Sequence, residues 1–437
     1  MKKIIKGLLA SLLLVSMAAC ANDTTTSDET SQPETETEDT MFTVEEGTEI
    51  TMWHTFTDDQ EATLEEIAKE FNETNEYGIT VNIESQAYQG FRDTVKQNVY
   101  NGQGPDLILD YPSTAAEYVE DELVLDLGQY IEDETYGIAG YAESLPSGIY
   151  EESKSFDDGL QHVVITQTTG PVHFYNKTLY DELNLTPATT WDELVANAKT
   201  IKEEKGLVGL GFDSLTDTLQ ALILQNDGGY IDLDTKTVLW NDEIGANAIN
   251  YIADNTKSGY FALTPTNNYF SSDFNAGSIG GFIGSVAGLP YVDTADQFEF
   301  AIAAMPAIGN EWTPAWDRGL IAFDHDDSSK AMADYLFIKF FIEQENNLKW
   351  VQSYNSLSPY FAVTEEADYQ AYVESNIALK ALSETIETAG ALPSVTGATT
   401  VRNELTDAAK AVAADTATTE EALAEAAENS NDALQGN

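Results

Sequence analysis

Between residues 49 and 110 the sequence twice passes from a short apolar run to an amphipathic stretch and back, and this alternation constrains the fold more than any other feature. Glu49 to Trp53 predicts a strand. Thr57 is placed to cap the next helix, with Gln60 three residues on as the other half of a capping box. Leu64, Ile67, Ala68 and Phe71 then recur at helical spacing. Ile79 to Ile83 predicts a second strand, and a helix bearing Phe91, Val95 and Val99 follows it. After Gly102, Gly104 and Pro105, the run Asp106 to Asp110 predicts a third, buried strand. A βαβαβ order calls for a parallel sheet with crossover helices.

The pattern restarts near residue 162. His162 to Thr166 and Val172 to Tyr175 predict strands, and Thr190 with Glu193 is a second capping box that opens a helix through Ile201. Leu207 to Phe212 predicts a strand, and helices are expected over 216–226 and 243–257. Ile279 to Ile283 and Phe300 to Met305 supply further strands, and from Ser328 the chain reads as largely helical, ending in the Ala- and Glu-rich 404–433. The fold class expected is α/β, in two lobes, each a mostly parallel sheet flanked by helices. A cleft between two such lobes is the default ligand site.

Composition narrows the partners. Cys20 is the only cysteine, so the fold is made without a disulfide; about 390 residues beyond the N-terminal segments are ample for two cores. The formal net charge is -55, from 75 acidic and 20 basic residues, and the only arginines are Arg92, Arg318 and Arg402. Nucleic acid and anionic lipid surfaces are repelled by such a field. An anionic ligand would need a local cluster of donors.

The N-terminus sets the destination. Lys2, Lys3 and Lys6 precede an apolar core from Ile4 to Val15, which is too short to span a bilayer. Met17, Ala18 and Ala19 then lead into Cys20. This arrangement resembles a bacterial lipoprotein signal, which implies removal of 1–19, with Cys20 becoming the lipidated first residue. Residues 21–46 are rich in Thr, Ser, Asp and Glu and contain no Lys or Arg, a composition expected of a disordered acidic tether.

Several segments, in order, resemble the extracellular solute-binding proteins of ABC importers, the group similar to maltose-binding and glycerol-phosphate-binding proteins. They are Ile50 to His54, the helix ending Phe71 to Asn75, Gly104 to Ile108, Phe174 to Lys177, and Pro187 with Thr190 to Leu194. Phe274 to Gly277, Ala303 to Pro306 and Thr419 to Leu423 continue the set. The resemblance implies a hinge between a first lobe of 47–165 with 315–355 and a second of 166–314 with 356–437. It also implies capture of a sugar or oligosaccharide, delivery to ABC permease subunits, and a monomer held by lipid on the extracellular face of the membrane.

In open α/β sheets ligands meet the carboxyl ends of strands. That rule selects Trp53 and His54, Tyr88, Asp110 and Tyr111 in the first lobe, and Thr168 and Ser285 in the second. By the resemblance, Trp316, Asp317, Arg318 and Gly319 lie where the chain crosses back, and Ser356 stands near a position where relatives carry Gly-Tyr. Aromatic faces and hydroxyl-bonding carboxylates are what a neutral sugar needs. Trp191 and Trp350 read as structural. Glycerol-phosphate-binding relatives place an arginine near the segment that here runs Ala389 to Ser394; it has none, and Arg402 is the nearest substitute. A phosphate needs charge-assisted donors, which favours a neutral sugar over glycerol-3-phosphate or a phosphodiester.

No catalytic motif stands out. The four histidines form no metalloprotease pair, Ser285 lacks the first glycine of a nucleophile elbow, and no phosphate loop is present. Asp324 to Asp327 reads as a solvated turn, so no metal or cofactor is expected. A cell-surface glycoside-processing lipoprotein is the competing reading from another class, since a carboxylate pair cannot be chosen by counting. A sensory partner of a membrane kinase is a third.

Overall fold

The computed structural model describes residues 42–264, 269–295 and 297–436. Cys20, the signal and most of the tether lie outside the described residues. No helix among the described residues is long and apolar enough to cross a membrane.

In chain order the first strands are β1 (Glu49–His54), β2 (Thr80–Ser85), β3 (Leu107–Asp110), β4 (Val163–Thr169) and β5 (Pro171–Asn176). Next come β6 (Leu210–Phe212), β7 (Ile231–Asp232), β8 (Thr237–Val238), β9 (Phe261–Ala262) and β10 (Gly281–Ser285). The last are β11 (Phe300–Ala303), β12 (Thr313–Pro314), β13 (Trp316–Ala322) and β14 (Ala389–Gly390). One five-stranded sheet has the order β2-β1-β3-β13-β4, and the other β11-β5-β10-β6-β9. In the first, β1 runs parallel to β2 and β3, as the βαβαβ pattern requires, whereas β13 is antiparallel to both its neighbours. The second sheet is mixed: β5 is antiparallel to β10 and β11, while β6 is parallel to β10 and β9.

Helices pack against both sheets. β3 is buried at all four positions and β4 at all but its last, which is why these segments read as apolar runs without alternation. The first core joins Ile50, Met52, Leu107, Ile108 and Leu320 to Leu64, Ile67 and Phe337 of the covering helices. It continues into the second sheet through Phe174 and Phe282, whose rings stack with centroids 4.7 Å apart. Such a pair adds about 0.5–1.5 kcal/mol beyond its buried area. A separate core packs Trp191, Leu219, Trp240 and Ile249 against Val401, Leu405 and Leu423 of the last two helices.

Capping follows the sequence unevenly. The Thr190–Glu193 box forms as expected. Thr57 stands at the N-cap of Asp58–Thr74 without a side-chain bond, so the capping box with Gln60 is not made. The Asp324–Asp327 turn has a helix-starting role: the Asp327 side chain accepts from the Ser329 and Lys330 amides.

The two sheets meet where β4 ends and β5 begins. β4 runs to Thr169, so the chain leaves the first sheet at Gly170, four residues past the limit of 165 anticipated from the sequence. A Cβ on Gly170 would lie 2.9 Å from Leu382 Cδ1 and 3.0 Å from the Pro314 carbonyl, so no larger residue fits unless these neighbours move. Residues beyond 355 also bind back to the first sheet: Leu357 exchanges backbone hydrogen bonds with Thr168, and the Tyr360 hydroxyl donates to the Ile165 carbonyl.

Candidate functional site

Strand direction gathers most of the predicted residues along one edge. β1, β2 and β3 are parallel, so His54, Ser85 and Asp110 end together. β13 is antiparallel and begins at this edge, and Thr168 at the end of β4 pairs with Asp317. Below that edge lies a cleft of about 350 Å³. Its walls come from both sheets' surroundings: Arg92, Tyr111 and Ser113 on one side, Asp217, Gln220, Tyr230 and Arg402 on the other, with Trp312 to Asp317 and Gly390 to Ser394 between them.

Of the residues expected at the site, Tyr111, Trp316 and Asp317 line this cleft. Asp110 stands behind it and receives a two-pronged bond from Arg92, with Nε to Oδ2 at 3.0 Å and Nη2 to Oδ1 at 3.1 Å. Oδ1 also accepts from the Tyr111 amide at 2.8 Å, which fixes the turn into the helix Pro112–Val119. Arg318 does not pair with Asp317; its guanidinium lies 4.3 Å over the Tyr111 ring and 5.6 Å from that of Tyr354.

The other candidates do not line the cleft. Trp53 is half-buried, and its indole Nε1 donates to Glu84 Oε2 at 2.8 Å. His54 is buried against Phe56, accepts from the Phe56 amide, and is held by burial below the ordinary histidine pKa. Tyr88 is 80% exposed. Thr168 and Ser356 are buried, and Ser285 Oγ caps the short helix that follows β10. Gly319 sits at the register shift between β13 and β4, where a Cβ would meet Val163 and Val164.

Several lining residues were invisible to the strand-end rule because they stand on helices. Arg92 lies at the start of Phe91–Tyr100, Glu152 at the end of Ser147–Glu152, Asp217 in the first turn of Leu215–Leu224, and Arg402 in Ala398–Ala413. A signal was present nonetheless. A chain with only three arginines brings two of them to the cleft wall and the third onto the ring of Tyr111.

The electrostatics of the cleft are largely balanced by pairs. Arg402 Nη2 stands 3.6 Å from Asp217 Oδ1, across the cleft from the Arg92–Asp110 pair. Burial raises the pKa of Asp217, and the Arg402 charge opposes that rise. Glu152 and Asp317 have no basic partner of their own. They are 7% and 1% exposed and lie against each other, an arrangement that favours the protonated form of one of them. Burial, then the neighbouring Asp317 charge, holds Glu152 well above the carboxylate range; Asp317 is also raised by burial.

Two sheet-based halves around a polar, aromatic cleft define a two-lobed binding protein of the α/β type. The sequence agrees: residues 66–381 match the model of the bacterial extracellular solute-binding proteins, and the chain belongs to that family. No curated protein matches the sequence. Among solved structures, the cyclic α-maltosyl-1,6-maltose binding protein of Arthrobacter globiformis is 22% identical, with a TM-score of 0.77 over 89% of this chain and 100% of its own. An ABC substrate-binding protein of Listeria monocytogenes in complex with cycloalternan is 19% identical, with a TM-score of 0.69 over 89% and 100%. The GacH receptor of Streptomyces glaucescens, also solved with acarbose, is 18% identical, with a TM-score of 0.68 over 90% and 99%. At these identities the likeness establishes the fold.

Proposed function

We propose that this protein is the lipid-anchored receptor of an ABC importer, capturing a sugar or oligosaccharide at the cleft and delivering it to the permease. The observation that carries the reading is the cleft's chemistry. Tyr111, Tyr230, Trp312 and Trp316 offer ring faces, while Arg92 and Arg402 are each already committed to a carboxylate. A phosphate would have to compete with Asp110 and Asp217 for those guanidiniums. A polyhydroxylated neutral ring instead uses both members of such pairs as donors and acceptors. The neighbours named above are described as binding cyclic maltosyl-maltose, cycloalternan and acarbose, which supports the same ligand class.

A glycosidase needs an acid and a partner carboxyl free to act on the ligand, whereas of the three carboxyl groups lining the cleft Asp217 is paired with Arg402, and Glu152 and Asp317 lie against each other. On this reading chemistry belongs to the transporter's ATPase and the protein is a monomer on the outer face of the membrane, tethered through Cys20. The lobes are the two sheets with their covering helices, hinged near Gly170 and Ala315, and closure over the ligand follows.

Isothermal titration of the purified protein with mono- and oligosaccharides, and with glycerol-3-phosphate, tests the proposal. Binding of a sugar or oligosaccharide without turnover is the expected result. Binding only to the phosphate compound would move the function to the glycerol-phosphate branch.

A further inference from the structure

The sugar-binding reading leaves one feature of the cleft unused. Arg92 and Arg402 are matched to Asp110 and Asp217, but the contacting carboxyl groups of Glu152 and Asp317 face the same cavity without a cation. Glu152 Oε2 and both carboxyl oxygens of Asp317 accept no hydrogen bond from an amide or hydroxyl within bonding geometry, although both side chains are buried. No lysine lines the cavity. The charged groups nearby are Arg402 on Ala398–Ala413, which acts on Glu152 at a distance, and Asp217, which already holds Arg402; Thr168 on β4 lies against Asp317.

We propose that the Glu152–Asp317 pair is a subsite for a protonated amine, so that the cargo is a basic sugar, one carrying an amino group on or between its rings. The inference rests on the sugar-binding reading and specifies its ligand. An ammonium group supplies the donors that these three oxygens lack, and its charge does the work of the pair's proton. The step balances either way: a ligand that enters as an ammonium displaces the proton of the Glu152–Asp317 pair to solvent, one that enters as the free amine takes up that proton itself, and in both cases two carboxylates then face one cation. The field of a chain with net charge -55 draws such a ligand in and repels acidic sugars.

Matched ligands test this. Acarbose, whose rings are joined through a secondary amine, is titrated beside maltotetraose; fully deacetylated chitotriose is titrated beside its N-acetylated form. The expected result is that the amine member of at least one pair binds about tenfold or more tightly at pH 7, the scale of a hydrogen bond to a charged group. Parallel titrations in buffers of different ionisation enthalpy should show close to one proton released for a ligand that enters as the ammonium and close to none for one that enters as the free amine. In Glu152→Gln, with an unchanged circular dichroism spectrum, the affinity ratio should fall towards one; Asp317→Asn provides the same readout if the first variant does not fold. Neutral members binding as tightly as the amines, or an ammonium ligand binding without proton release, overturns the inference. If another neutral sugar binds while all four probes fail, the amine subsite alone falls. If no sugar of any kind binds, the receptor reading falls with it.

Discussion

The guanidinium of Arg318 lies 4.3 Å over the ring of Tyr111, on the antiparallel strand that returns between β3 and β4. The contact fixes one face of a cleft-lining aromatic before any ligand arrives. A planar cation stacks on a ring where an ammonium would not spread over it. Arg318→Lys is therefore expected to weaken ligand binding several-fold while lowering stability by under about 1 kcal/mol. Calorimetry and thermal melts of the same preparation check this; unchanged affinity would show that Tyr111 is held by other means.

Arg402 and Asp217 form the pair on the opposite wall, with the carboxylate buried and the guanidinium partly in water. Arg402→Ala leaves a buried carboxylate without its counter-charge. The expected loss is about 1–2 kcal/mol at pH 7, below the value for a fully buried pair because solvent reaches Arg402. Burial already raises the Asp217 pKa and Arg402 restrains it. Removing Arg402 lets it rise further, so the deficit should shrink as pH falls and Asp217 takes up a proton. Adding Asp217→Asn should recover part of the loss in denaturant melts; no recovery would mean that Arg402 contributes by packing.

Much of the fold was legible because apolar spacing alone identifies β1 to β3 and the helices between them. β13 was not: Trp316 to Ala322 reads as a crossing segment, because nothing local to it says that it lies between β3 and β4. The site was legible in part for a related reason. Strand-end logic reaches Tyr111 at the cleft wall and Asp110 behind it, and the resemblance adds Trp316 and Asp317. Glu152, Asp217 and Arg402 reach the cleft from helices, where their placement depends on how Ser147–Glu152 packs on β14 and how the last helices pack on the second lobe. Trp53 shows the converse. Its position at a strand end is right, but its indole is bonded to Glu84 away from the cavity.

Gly170 is where the end of β4, the end of β12 and the helix Ile377–Ser383 come together. Gly170→Ala pushes a methyl group against Leu382 and the Pro314 carbonyl. Leu382 can rotate, but the carbonyl is backbone. Overpacking of this kind costs about 1–3 kcal/mol. Because the clash lies at the proposed hinge, the variant should also blunt ligand-induced compaction in small-angle scattering. Normal compaction with lowered stability would place the hinge elsewhere.

Asp213 follows β6 and is pushed up to about 6 by burial, with its carboxylate partly compensated by the Phe270 amide at 2.8 Å. The folded state thus holds this proton more tightly than the unfolded chain, whose aspartate titrates near 3.9. As pH rises from about 4 to 6 the unfolded form loses its proton first, so the native protein loses stability, and the penalty is complete above about 6. Asp213→Asn keeps an acceptor for Phe270 and removes the ionisation. Its stability should match the parent below about pH 4 and exceed it by about 1–3 kcal/mol at pH 7. Urea melts across that range check the sign. A variant less stable than the parent at pH 7 would mean that the ionised carboxylate is held by the Phe270 amide more strongly than burial opposes it.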